Sequence, residues 1–138
     1  MGRANIRNGL ALSAVRYQSD SGTCSRGALQ LLTRDAVGAL VKDWDTLRDD
    51  CEGPKKQALP GYGHYPSQAI RERKSGSAHV LVRLEADGRI ESVHAVCASD
   101  AAFGTAAEET TSRIRYAPMT CAGQPTRVAF FLPLDYDI

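Results

Sequence analysis

The tightest constraint in this chain is a pair of alternating apolar stretches folded about one turn. Val80, Val82 and Leu84 fall on one face of a strand, with His79, Leu81 and Arg83 on the other. Asp87-Gly88 supplies a hairpin turn, and the alternation resumes as far as Val96. Folding about that turn sets Val82 opposite Val93 and Val80 opposite Ala95. Both pairs are apolar, and a slip of one residue would carry every side chain to the wrong face. The register is therefore fixed by the pattern.

The segments around the hairpin complete a unit. Pro66 suits the first position of a short helix over residues 66–74, which Gly76 closes. After the hairpin, Asp100 is the N-cap of a helix over 101–115 whose buried stripe is Phe103, Ala106, Ala107, Thr110 and Ile114. Gly104 and the Thr110-Thr111 pair make it weak by propensity, so packing must hold it. A last apolar run places Val128, Phe130 and Leu132 on one face, with Ala129 and Phe131 on the other. Pro133 cannot donate a ladder bond, so this strand is expected at a sheet edge. The helical crossover makes the last strand parallel to the second, so it pairs antiparallel with the first. The expected fold is α+β: a split βαβ unit, a three-stranded antiparallel sheet of order 2-1-3 with helices on one face, plus an N-terminal helical extension. The other sheet face carries His79, Leu81, Val96 and Phe131 and calls for cover from the N-terminal segment or a partner.

Residues 1–60 are read as that extension and residues 61–138 as the domain. Leu10, Leu12 and Ala14 alternate weakly, which allows a short strand, and Gln18 to Thr23 has turn composition. Ala36, Val37, Leu40, Val41, Trp44 and Leu47 recur at helical spacing and predict a helix over 34–50 capped by Thr33, with Trp44 in its apolar stripe. From Glu52 to His64 the density of Gly and Pro predicts a linker without regular structure.

A formal net charge of +1 gives no long-range attraction to nucleic acid, and no apolar run approaches the roughly 20 residues of a membrane helix. Cys24, Cys51, Cys97 and Cys121 are even in number and lack a Cys-x-x-Cys spacing. That suits disulfides in an oxidising compartment better than zinc, with four buried thiols as the alternative. A Cys24–Cys51 bridge is favoured, because a strand over 25–32 and a helix back to Cys51 would each span about 26 Å, although the Leu-rich segment reads equally as a helix. Cys97 and Cys121 lie at ends of the unit roughly 15–20 Å apart, so their pairing needs the loop after Ala117 to climb the sheet.

Catalytic and metal chemistry find no constellation. His94 is placed opposite Leu81 and diagonal to His79, with no third ligand near, which makes a poor zinc site. Cys97 is placed on the core face opposite Ala78 with no orienting base. Gly61 and Gly63 are followed by no phosphate-binding helix. No enzyme, cofactor or metal is expected.

Read together, Tyr65-Pro66, Gly76, Asp87-Gly88-Arg89, Arg115-Tyr116-Ala117-Pro118 and Gly123-Gln124-Pro125 form an ordered set. In that order they resemble the C-terminal domain of the TonB family of periplasmic energy transducers. The chain departs from the pattern at Ile114, where an aromatic often stands, and at Ala98-Ser99-Asp100, where Ser-Ser-Gly often follows the second strand. The family's membrane anchor and Pro-rich spacer are absent from this chain, as is a convincing export signal. The resemblance implies a periplasmic location and a partner that is a TonB-dependent outer-membrane receptor or another periplasmic protein. It implies recognition by β-augmentation, in which an extended receptor segment, the TonB box, adds to the last strand. The partner-binding candidates are thus Arg127, Val128, Ala129, Phe130, Phe131 and Leu132, within energy-coupled outer-membrane transport. The alternative is a stand-alone periplasmic binding or inhibitor/immunity-type protein that reuses the fold without transducing energy.

Overall fold

A computed structural model describes residues 3–6, 10–11, 28–58 and 65–137. In chain order the elements are β1 (Arg3–Ile6), β2 (Leu10–Ala11), β3 (Leu29–Gln30), α1 (Arg34–Val41), β4 (Cys51–Glu52), β5 (Lys56–Ala58) and α2 (Ser67–Arg71). They continue with β6 (Gly76–Leu84), β7 (Ile90–Ala98), α3 (Ala101–Ser112), β8 (Arg115–Tyr116), β9 (Thr120–Cys121), β10 (Gln124–Pro125) and β11 (Val128–Asp137). The fold is α+β, with three helices and three antiparallel sheets among the described residues.

The hairpin is the centre. β6 and β7 pair with Val82 opposite Val93, Val80 opposite Ala95 and Leu81 opposite His94, the register that the alternation dictates. At the turn, Gly88 takes φ 92° and donates its N–H to the Glu85 carbonyl at 2.9 Å. A Cβ there would lie 2.4 Å from the Tyr116 carbonyl oxygen, so glycine is required on two counts. The far end of the hairpin departs from simple alternation. A bulge between Val80 and His79 sets Cys97 opposite His79 rather than Ala78.

The main sheet is larger than three strands. It runs β1-β11-β6-β7-β3, and β2 also pairs with β11. β11 is therefore an interior strand and not an edge. Pro133 is accommodated because the partners on its far side are β2 at Phe130 and Phe131 and β1 at Leu134 to Asp137, leaving position 133 between the two registers.

Helices lie on both faces, where they were expected on one and the other was expected to take cover from the N-terminal segment or a partner. On one face α2 and α3 close the main core, in which Phe103, Ala106 and Ala107 meet Val80, Val82, Leu84, Val128, Phe130 and Leu132. Asp100 caps α3 as anticipated, its carboxylate accepting the Ala102 N–H at 3.0 Å. On the other face α1 supplies the cover that Leu81, Val96 and Phe131 require, through Val37, Leu40 and the following Trp44.

The helix expected over 34–50 ends at Val41. Thr33 does cap it, accepting the Ala36 N–H at 3.1 Å, but Asp43 turns to φ 60° and the chain leaves extended. Helical spacing persisted beyond Val41 because Trp44 and Leu47 are both apolar, yet they serve different cores. Trp44 packs with α1, and Leu47 packs on the main core. The supposed linker also holds two short strands, β4 pairing with β9 and β5 with β8.

That early exit decides the disulfides. Cys51 is carried to β9, opposite Cys121, and the two are bonded across a separation of 70 residues. The favoured Cys24–Cys51 pairing is thus replaced. It relied on a helix returning Cys51 to the start of the extension. Cys97 is also in a disulfide, so it does not pair with Cys121, and Cys24 lies outside the described residues.

Candidate functional site

The candidate residues occupy the first half of β11. Arg127 is exposed, whereas Val128, Ala129, Phe130, Phe131 and Leu132 are all buried. Their side chains serve the two cores, Val128, Phe130 and Leu132 below α3 and Ala129 and Phe131 below α1. A partner would therefore meet this strand through backbone groups, not side chains.

The direction of those groups follows from one bond. The Ala129 N–H donates to the Asp45 carbonyl at 2.8 Å, away from β6. Amides alternate along a strand, so Phe131, Pro133, Asp135 and Asp137 share that outward side, and Phe130, Leu132 and Leu134 face β6. Pro133, the residue with no N–H, thus falls on the side where no β6 bond is lost. On the outward side Asp45 meets position 129, Leu10 pairs with Phe131, Asn5 with Asp135 and Arg3 with Asp137. The edge is covered by the chain's own residues along most of its length.

Arg127 belongs to a local cluster rather than to an open surface. Its guanidinium lies 4.5 Å from the Trp44 ring centroid, and that of Arg83 lies 5.3 Å away. Arg127 also donates to the Asp43 carbonyl at 3.1 Å, and Arg83 donates to the Leu40 carbonyl at 3.2 Å while pairing with Glu91 at 2.6 Å. The cluster pins the segment after α1 to the start of β11. Sequence reasoning missed Asp45 and β1; the weak alternation at Leu10 was the available signal for β2.

Elsewhere the chemistry is sparse. The grouping of Asp50, Cys51 and Cys121 offers no thiolate, because both cysteines are spent in the disulfide. His94 is half-buried opposite Leu81. A shallow groove lined by Gln68, Glu72, Lys74, Asp100 and Phe103 separates α2 from α3. Burial pushes the Tyr116 and Tyr136 phenols well above their ordinary range, an effect of the apolar core and not of a catalytic partner. No helix among the described residues is long and apolar enough to cross a membrane.

The centre of the fold is thus a split βαβ core closed by a long last strand. The model of the Gram-negative bacterial TonB protein C-terminal domain matches residues 62–138, more than half of the chain. The chain belongs to the TonB C-terminal domain family. No curated protein and no solved structure matches it. Members of this family are protein-interaction domains of transport systems in the Gram-negative periplasm, and the Cys51–Cys121 disulfide accords with that compartment.

Proposed function

We propose that this domain binds an extended segment of a TonB-dependent outer-membrane receptor, the TonB box, along the outward side of β11, as part of energy-coupled outer-membrane transport. One observation carries the reading. Among the described residues, everything that covers the outward side of β11, namely β1, β2 and Asp45, lies outside the residues that match the family, whereas β11 lies wholly inside them. The family's own unit thus ends in a strand with a row of outward donors and acceptors, the surface that strand addition requires.

Titration of a labelled TonB-box peptide, followed by amide NMR, tests the reading. Perturbations are expected along 129–137. Arg127→Ala should weaken binding only modestly, because the pairing is through backbone. Ala129→Pro removes an outward donor and should weaken binding in a protein that still folds. Phe130→Pro removes an amide that faces β6 and should unfold the domain. Absence of saturable binding up to about a millimolar, in the wild type and in a variant with its edge opened, would overturn the proposal. A stand-alone periplasmic binding or inhibitor/immunity-type protein is the second reading, favoured by the same self-covered edge, since a strand already paired needs no receptor.

A further inference from the structure

The resident strands on β11 describe the ligand that would replace them. β1 and β2 run antiparallel to β11, and the outward amides put Leu10 against Phe131, Asn5 against Asp135 and Arg3 against Asp137 as hydrogen-bonded pairs. Between them fall the non-bonded pairs, Ala4 with Tyr136, Ile6 with Leu134 and Ala11 with Phe130. Side chains approach closely at a non-bonded pair, and Ile6 with Leu134 is the one in which both are described. Leu134, Tyr136 and Phe130 all point into the main core, and Ile6 packs against that same core. Ile6 is therefore the residue of β1 seated on the core, opposite Leu134.

We infer that β1 and β2 are a detachable occupant of the β11 edge, and that the segment exchanged for them is extended, antiparallel and aliphatic at the position of Ile6. The inference rests on β-augmentation at β11 and specifies its ligand and its control. Detachment rests on size: the covering strands are four and two residues long against ten in β11, so each pairs with only part of that strand. A tethered occupant competes at an effective concentration in the millimolar range, so a free segment binds the intact protein much more weakly than the edge itself allows.

The test uses the full chain and a labelled peptide with the sequence of residues 3–11. Ile6→Asp should expel the resident strand by placing a carboxylate against the core, and Ile6→Ala should loosen it without a charge. Fluorescence anisotropy is expected to show the peptide binding Ile6→Asp at least about tenfold tighter than wild type, with Ile6→Ala between them. A peptide with aspartate in place of its isoleucine should bind neither. Amide exchange at Phe131, Asp135 and Asp137 should quicken in Ile6→Asp and slow again with peptide. Thermal melts identify a variant that fails to fold, in which case Ile6→Ala decides. Equal affinities for wild type and variants, or undiminished protection of those amides in folded Ile6→Asp, would overturn the inference. A TonB-box peptide titrated in parallel separates the two claims. If only the resident peptide binds, detachment stands and the receptor reading falls; if only the TonB-box peptide binds, the receptor reading stands and the likeness of its ligand to β1 falls.

Discussion

Replacing Gly76 by alanine tests how the β6 end of the core is packed. A Cβ on Gly76 would lie 2.4 Å from Phe103 Cε2, 2.6 Å from Cδ2 and 2.5 Å from Ser99 Oγ. The ring has little room to retreat: Phe103 is 2% exposed, with the Tyr136 ring at 4.9 Å and the Tyr65 ring at 5.8 Å. Ser99 is held as well, its Oγ accepting the Ser77 N–H at 3.0 Å. Overpacking of this kind costs about 1–3 kcal/mol, while the stiffer unfolded chain returns roughly 0.4–1 kcal/mol. The net loss should be about 1.3 kcal/mol. For a chain of this length that is a fall in Tm of roughly 4–6 °C, or a urea midpoint lower by about 0.6 M at an m-value near 2 kcal/mol/M. The double variant Gly76→Ala/Phe103→Leu should recover about 1 kcal/mol relative to the sum of the singles, because a narrower side chain leaves space for the methyl group. A Gly76→Ala protein as stable as wild type would refute this account of the packing.

The disulfide is expected to matter comparably. Breaking Cys51–Cys121 with the Cys51→Ser/Cys121→Ser pair frees a loop of 70 residues and should cost up to about 4 kcal/mol by chain entropy, read from denaturant unfolding. Peptide mapping without reductant should recover Cys51 linked to Cys121 and Cys97 in a disulfide of its own, and four alkylatable thiols would contradict it. Trp44→Ala removes the ring between two guanidiniums and part of the α1 core; a loss of about 2–3 kcal/mol is expected in thermal and urea melts. The phenols of Tyr116 and Tyr136 have folded pKa values raised by burial above an unfolded value of about 10. The stability they protect is fully present below pH ~10 and lost as the pH rises beyond it, so tyrosinate absorbance should appear together with unfolding. Tyr116→Phe and Tyr136→Phe should each make that alkaline transition shallower.

The hairpin was legible because alternation, turn and register all depend on neighbours in sequence. Val82 and Val93 could be paired from their spacing about Asp87-Gly88 alone. The α3 cap at Asp100 and the α1 cap at Thr33 were legible for the same reason. The position of β11 was not, because Pro133 argues for an edge only if one side of the strand is empty all along its length. Here the cover comes in pieces that leave that one position between them, and nothing local to Pro133 signals it. The helix expected to reach residue 50 failed similarly, since Trp44 and Leu47 continue a helical spacing while each packs on a different side of the sheet. Cys51 followed that error into the wrong pairing. As for the candidate site, its six residues could be named from the strand pattern and the resemblance. That five of them face inward, and that Asp45 takes the outward Ala129 amide, depends on contacts more than eighty residues apart.

The cover that α1 gives to Leu81, Val96, Ala129 and Phe131 has a practical corollary for anyone dissecting the chain. Cutting at the family boundary, just before residue 62, would yield a piece with a bare apolar sheet face, an unpaired last strand and Cys121 parted from its bonded neighbour. Such a fragment presents two of the hallmarks of self-association, a broad greasy surface and an open strand, and should precipitate or pair with itself. The minimal autonomous unit is therefore set by where the second layer begins and not by where the family likeness does, and it must start upstream of Leu29.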